Sequence, residues 1–302
     1  MNIIGHRKIF YTLSAVFLAA SIGVLAVWGL KFGIDFTGGS IDEVEFKTSR
    51  PSVGELQTWV KDLNLGEVRF QPSGEKGLLI RTRHLAEAEH QALLRALAAG
   101  AGGEESATLA EKRFDAVGPT IGQELKRKSL IALVLVIFLI VSYIAFAFRK
   151  VSQPVVSWKY GITTVAALVH DVIIPAGFFA VAGRFLGYEV DTLFVTAVLT
   201  ILGFSVHDTI VVFDRIRENL QKSRPGDDFE ELVNRSVNQT LARSINTSLT
   251  VLLALTAVYF FGGDSTKVFS LTLMIGIIAG TYSSIFIASP LLVTWHKIKS
   301  IF

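Results

Sequence analysis

The 302-residue chain contains no cysteine. Disulfides, zinc–thiolate sites and iron–sulfur clusters are therefore excluded. Its net charge is only +3, and no basic stripe sets it apart as a nucleic-acid binder. No nucleotide cradle is present either, because the glycine-bearing stretch Gly33–Gly39 lacks the Lys-Ser/Thr ending of a Walker loop. The histidines have no second ligand pair at helical spacing, so no metal site is expected. No cofactor is expected, and the chain is not read as an enzyme. Any work it does must draw on another source. The membrane potential offers about 2.3 kcal/mol per charge per 100 mV.

What the chain has instead is apolar length. Hydrophobic residues make up 51% and the mean hydropathy is +0.49. Six runs, Ile9–Leu30, Leu130–Phe148, Tyr160–Gly183, Thr192–Phe213, Ser244–Phe261 and Val268–Trp295, are each long enough to cross the ~30 Å hydrocarbon layer as a helix. The first follows His6-Arg7-Lys8. It exceeds a signal-peptide core and no A-x-A cleavage site follows, so it reads as a retained anchor. With both termini inside, Arg7, Lys8, Arg149, Lys150, Lys159, the Arg215–Arg243 cluster, Lys297 and Lys299 fall in the cytoplasm. The short outer loops then hold only Arg184 and Lys267. This asymmetry obeys the positive-inside rule. Lys126-Arg127-Lys128 argues locally the other way, but long domains translocate largely regardless of charge.

Three parts follow: 1–31, the N-terminus and first helix; 32–128, an extracytoplasmic α+β domain; and 129–302, a five-helix membrane domain with a cytoplasmic loop at 214–243. In the outer part, Ile41–Lys47 alternates as a strand, with Val44 and Phe46 on one face. Ser52 caps a helix containing Glu55, Leu56 and Trp59. Strands are expected at Glu67–Gln71 and Leu78–Arg83 around a Pro72-Ser73-Gly74 turn, then a helix at Leu85–Ala98. A fourth strand is expected at Thr108–Val117, where Glu111, Lys112 and Arg113 blur the alternation. The order β-α-β-β-α-β is the ferredoxin-like plan. In the cytoplasmic loop, Pro225-Gly226 breaks the chain. Asp227 and Glu230 then open a helix that lies along the membrane face or packs as a connector.

Polar residues inside the spans carry the functional signal. Asp208 costs roughly 2.5–3.5 kcal/mol near a bilayer centre, so ion or proton handling is the default reading. A permanently paired structural charge is the alternative. At 1.5 Å per residue, Asp208 lies about 9 Å below the inner boundary, within reach of an inward-bent Arg243. Thr247 shares a helix face with Arg243. A carboxylate paired with guanidinium stays ionised, and one left unpaired in a dry site takes a proton. Arg243 could equally snorkel to headgroups, and Thr247 could bond a neighbouring helix. His170-Asp171 forms a second polar pair near the middle of the third span. Gly276 and Gly280 provide a small-xxx-small face.

The strings Phe32–Gly39 (FGIDFTGG), Gly203–Asn219 (GFSVHDTIVVFDRIREN) and Arg243–Ser248 (RSINTS) resemble the SecF family. Its members are the smaller subunits of bacterial SecDF protein-export complexes, related to the resistance-nodulation-division transporters. The resemblance covers nearly the whole chain. It implies a proton-driven aid to preprotein translocation across the bacterial inner membrane, in contact with lipid, the Sec translocon channel and its ATPase motor. It places the proton relay on Asp208, Arg243 and Thr247. Where the family often has Asn before the Asp, this chain has His207, which raises a tuning role there. Transporters of this superfamily use twelve spans, so the resemblance also implies an obligate SecD-like partner. A non-conducting translocon scaffold and half of a small-molecule or lipid exporter remain alternative readings, and proton and sodium coupling both stay open.

Overall fold

The computed structural model describes residues 1–149, 157–224 and 226–299. Lys150 and Pro225, used above in the charge pattern and as a chain break, lie outside the described residues. The chain divides into two compact units, Met1–Lys31 with the part from Leu130 onward, and Phe32–Ser129.

The helical unit contains α1 (Arg7–Trp28). The smaller unit begins with α2 (Ile34–Thr37) and continues through β1 (Gly39–Phe46), α3 (Val53–Val60), β2 (Arg69–Ser73) and β3 (Gly77–Thr82). It then has α4 (Glu87–Gly100), α5 (Glu105–Thr108) and β4 (Leu109–Val117). After α6 (Pro119–Ala147) come α7 (Ser157–Phe185), α8 (Thr192–Lys222), α9 (Phe229–Phe261) and α10 (Asp264–Ser283). A π-helical turn, Ser284–Ala288, joins α10 to α11 (Ser289–Lys299).

In the smaller unit the four strands form one antiparallel sheet in the order β2-β3-β1-β4. This is the order of the expected ferredoxin-like plan. β1 alternates strictly, burying Ser40, Asp42, Val44 and Phe46. Val44 and Phe46 pack with Leu56, Leu78, Ile80, Leu93, Leu94 and Leu97 in one core. Ser52 caps α3 in a full capping box with Glu55. The expected Pro72-Ser73-Gly74 turn begins later, because Pro72 and Ser73 still pair with β3.

β4 explains its own blurred pattern. Glu43 pairs with Arg113 but Val44 pairs with Glu111, so Lys112 is an extra residue in a β-bulge. A bulge inserts one residue and re-aims the side chains beyond it. Here it returns Glu111 and Leu109 to the face shared by Val44 and Phe46. At the entry to the sheet, Gly38 and Gly39 adopt φ of 72° and 134°, which L side chains rarely tolerate. A Cβ on Gly38 would also lie 2.8 Å from the Pro119 backbone.

Among the described residues, six helices have the length and apolar content to cross a membrane. The most apolar stretches of α7, α8 and the α10–α11 helix are 50%, 50% and 61% buried, against 6%, 6% and 11% for α1, α6 and α9. Three helices thus form the centre of the unit and three present long outward faces. Gly276 meets Ile201, where a Cβ would sit 2.1 Å from the Ile201 side chain, and Gly280 faces Ser205. The small-xxx-small face therefore draws α10 against α8.

The helix expected within segment 214–243 is present and runs on into the fifth span without a break. α8 continues to Lys222 and α9 begins at Phe229, so most of that segment extends the two spans as helix. Phe229, Leu232, Val233 and Val237 are buried in the core of the helical unit, which favours the packed-connector reading. The start of α9 also holds the N-terminus. Asn234 Oδ1 accepts from the Ile3 and Ile4 amides at 2.9 and 3.2 Å, and Arg7 pairs with Glu230 at 2.5 Å.

Candidate functional site

Asp171 and Asp208 lie at the middles of α7 and α8, and both are buried. An ionised or neutral carboxyl in such a place needs hydrogen-bond partners, because an unpaired buried polar group is costly. Each acid has two serine hydroxyls. Ser244 Oγ of α9 donates to Asp208 Oδ1 at 2.5 Å, and Ser284 Oγ donates to Asp208 Oδ2. Ser205 Oγ donates to Asp171 Oδ2 at 2.5 Å, and Ser283 Oγ reaches the same oxygen at 2.7 Å. The remaining oxygen of Asp171 meets His170 Nδ1 at 2.9 Å.

The helix geometry explains the pattern. Ser205 and Asp208 are three residues apart on α8 and share a face. Ser283 and Ser284 are adjacent, so they point about 100° apart, one toward α7 and the other toward α8. The π turn starts at Ser284, and Ser289 Oγ donates to the Ser284 carbonyl at 3.1 Å. Such turns leave backbone groups without their usual helical partners and are frequent at functional sites. Behind Ser244, Ser248 Oγ bonds the Thr281 hydroxyl at 2.5 Å, tying α9 to α10.

The expected contact between Arg243 and Asp208 is not formed. Among the described residues Asp208 makes no ion pair. Arg243 is exposed and lines a cleft of about 190 Å³ with Val211, Asp214, Arg215, Glu218, Gln239 and Thr240. Thr247 is exposed as well, and so is His207. The reason is azimuth. Arg243 and Ser244 have nearly the same depth but point about 100° apart, and it is Ser244 that faces α8. His170 turns back to its neighbour Asp171 and stacks on Tyr282 at 5.9 Å between ring centroids. The four serines were missed because serine in an apolar run reads as a small packing residue. The signal was there, in Ser205 with Asp208 at i, i+3 and Ser244 with Ser248 at i, i+4.

A serine hydroxyl donates one hydrogen bond and accepts others by rotating. The cradles can therefore serve a carboxylate or a carboxylic acid, which a fixed cation cannot do equally well. Among the described residues, only Asp42, His90 and Glu111 are grouped at metal-ligand spacing, and they lie in the smaller unit.

The profile described as "Protein export membrane protein SecD/SecF, C-terminal" matches residues 101–298, and "SecD/SecF GG Motif" matches residues 23–49. The chain belongs to the SecD/SecF family. "Protein translocase subunit SecF" of Thermobaculum terrenum is 43% identical, over 98% of this chain and 94% of the relative. "Protein translocase subunit SecDF" of Thermus thermophilus is 36% identical, over 98% of this chain but 38% of its own length. The crystal structure of SecDF from that organism, called a translocon-associated membrane protein, superposes with a TM-score of 0.82 at 33% identity. That match covers 98% of this chain and 39% of the SecDF chain. The adjacent glycine pair within the residues matched by the GG-motif profile is Gly38-Gly39, whose positive φ values were noted above.

Proposed function

We propose that this chain is the SecF-type half of a protein-export accessory complex, in which protons passing through Asp208 drive preprotein movement across the bacterial inner membrane. One observation supports this above all: a carboxyl buried at the middle of a span, held by hydroxyls and not by a cation. A purely structural charge would be expected to carry a permanent counter-charge. Hydroxyl partners suit a group that changes charge.

In this reading Arg243 and Thr247 act from the outward face of α9. A SecD-type partner would supply the facing half of the pathway, in keeping with the single-chain SecDF relatives that are more than twice as long. When the partner brings Arg243 toward Asp208, the carboxylate is held ionised; when Arg243 leaves, the acid takes a proton. Asp171 would hand protons along the serine-lined interior, and His207 would tune the face toward the partner. The termini and the polar arms of α8 and α9 would be cytoplasmic, in keeping with the distribution of basic residues, and the ferredoxin-like domain would meet the preprotein outside. Contacts with the Sec channel and its ATPase belong to the same proposal.

The test is export into vesicles reconstituted with the partner subunit and the translocon. Asp208→Asn should abolish stimulation by the proton gradient while ATP-driven export persists. Unchanged stimulation would remove Asp208 from the pathway. A scaffold that conducts nothing would assemble normally and show no proton flux in either protein, so pH-dye flux separates that reading.

A further inference from the structure

The smaller unit contains a buried polar centre that the transport proposal does not use. Asp42 on β1 and His90 on α4 are 2% and 3% exposed, and His90 Nε2 lies 3.1 Å from Asp42 Oδ2. Glu111 Oε1 of β4 lies 3.7 Å from the same nitrogen. All three ligand atoms fall within 4.8 Å of one another. We propose that Asp42, His90 and Glu111 form a site for a divalent transition-metal ion of the zinc class.

The geometry carries the assignment. Ligand atoms about 2.1 Å from a tetrahedral ion stand roughly 3.4 Å apart, and the observed 3.1 and 3.7 Å bracket that spacing. The donors come from three separate elements of the fold. Glu111 faces the centre only because the bulge at Lys112 shifts the strand by one residue; a regular β4 would point it to the other face. Lys112 instead pairs with Glu45 at 2.7 Å on the opposite side. The imidazole plane is fixed by Phe114, stacked at 3.7 Å between centroids and 7° between planes.

Charge and access agree with a cation. Two carboxylates and one imidazole would face a divalent ion, and its charge would balance theirs. The mixed nitrogen and oxygen set suits zinc, cobalt, manganese or iron better than calcium or magnesium, which take oxygen ligands. The Glu111 side chain keeps 33% of its surface exposed, giving an entry path and room for a water ligand. On the far side of the ring, Glu87 Oε2 lies 3.8 Å from His90 Nδ1. A small rotation of that exposed carboxylate would let Nδ1–H donate to it, the arrangement that orients metal-binding histidines.

The experiment titrates Co²⁺ into the full chain, purified in detergent and metal-free, and follows the visible ligand-field bands, with Zn²⁺ as competitor. One Co²⁺ per chain with intense low-coordinate bands, displaced by Zn²⁺, is the expected result. Glu111→Gln alters a partly exposed side chain and should fold; it should weaken binding at least about 10-fold, as should Asp42→Asn. Glu45→Gln, which removes no ligand, should bind like the unaltered chain. Circular dichroism verifies that each variant is folded. Absence of Co²⁺ binding by the unaltered chain, or equal affinity in Glu111→Gln, would overturn the site.

Discussion

In the helical unit Asp208 is held by two serine hydroxyls, whereas in the ferredoxin-like domain Asp42 meets an imidazole and a second carboxylate nearby. Both regions bury an acid, and they solve the same desolvation problem with opposite chemistry. Hydroxyls rotate and accept either protonation state of their partner. An imidazole next to two carboxylates concentrates charge and fixes it. The first arrangement suits a group whose proton comes and goes. The second suits a centre that holds a cation in place and ties β1, α4 and β4 together.

The largest expected effect tests the mobile side of this contrast. Asp208→Asn should reduce gradient-stimulated export to background, measured as protected preprotein in vesicles, and Asp171→Asn should reduce it less. If both retained full stimulation, the helical unit would hold its acids for structure alone. Next comes packing around the site. Gly276→Leu would place a bulky side chain against Ile201, at a point where even a Cβ comes within 2.1 Å. Such overpacking costs about 1–3 kcal/mol, to be read from denaturant unfolding in detergent.

Ser284→Ala removes one of the two hydroxyls on Asp208. If the acid is ionised in the resting protein, the loss should approach the ~1–3 kcal/mol of an unsatisfied buried acceptor. A smaller loss at low pH than at high pH would show the acid taking up a proton. A pH-independent loss would set the cradle apart from titration. In the ferredoxin-like domain, Ser52→Ala should cost about 1 kcal/mol through loss of the α3 cap, seen as a lowered unfolding midpoint.

The smallest effect concerns the surface of that domain. Hydrogen bonds from Arg83, then from the Ala86 amide, pull Glu89 from 4.5 down to about 2. Its contribution to stability is therefore complete above the ordinary glutamate range and lost as pH falls toward about 2. Glu89→Gln should flatten acid unfolding in that window only. The Glu89 side chain keeps 38% of its surface open to water, so solvent screening keeps the change slight.

These comparisons also define what a linear sequence can disclose. The spans were legible because apolar runs of sufficient length have few alternatives, and the sheet because strands with one buried face alternate. β4 resisted reading at Glu111-Lys112-Arg113, since a bulge shifts the alternation and leaves no mark in residue type. Depth along a helix follows from counting, which brings Asp208 within reach of the Arg243–Thr247 stretch of α9, and Ser244 of that stretch meets Asp208. Direction around the helix does not follow so directly, and the count selected Arg243 where Ser244 makes the contact. The Asp42, His90 and Glu111 group was invisible for a related reason. Helical spacing finds ligands on one element, and these lie on three.

Ser283 and Ser284 are consecutive residues of a single helix, each holding a different acid. Those two acids consequently hang from one lever. In the proposed transport reading, a turn of that helix about its own axis would loosen one grip on each acid in the same stroke, so a proton arriving at either acid would be felt at the other.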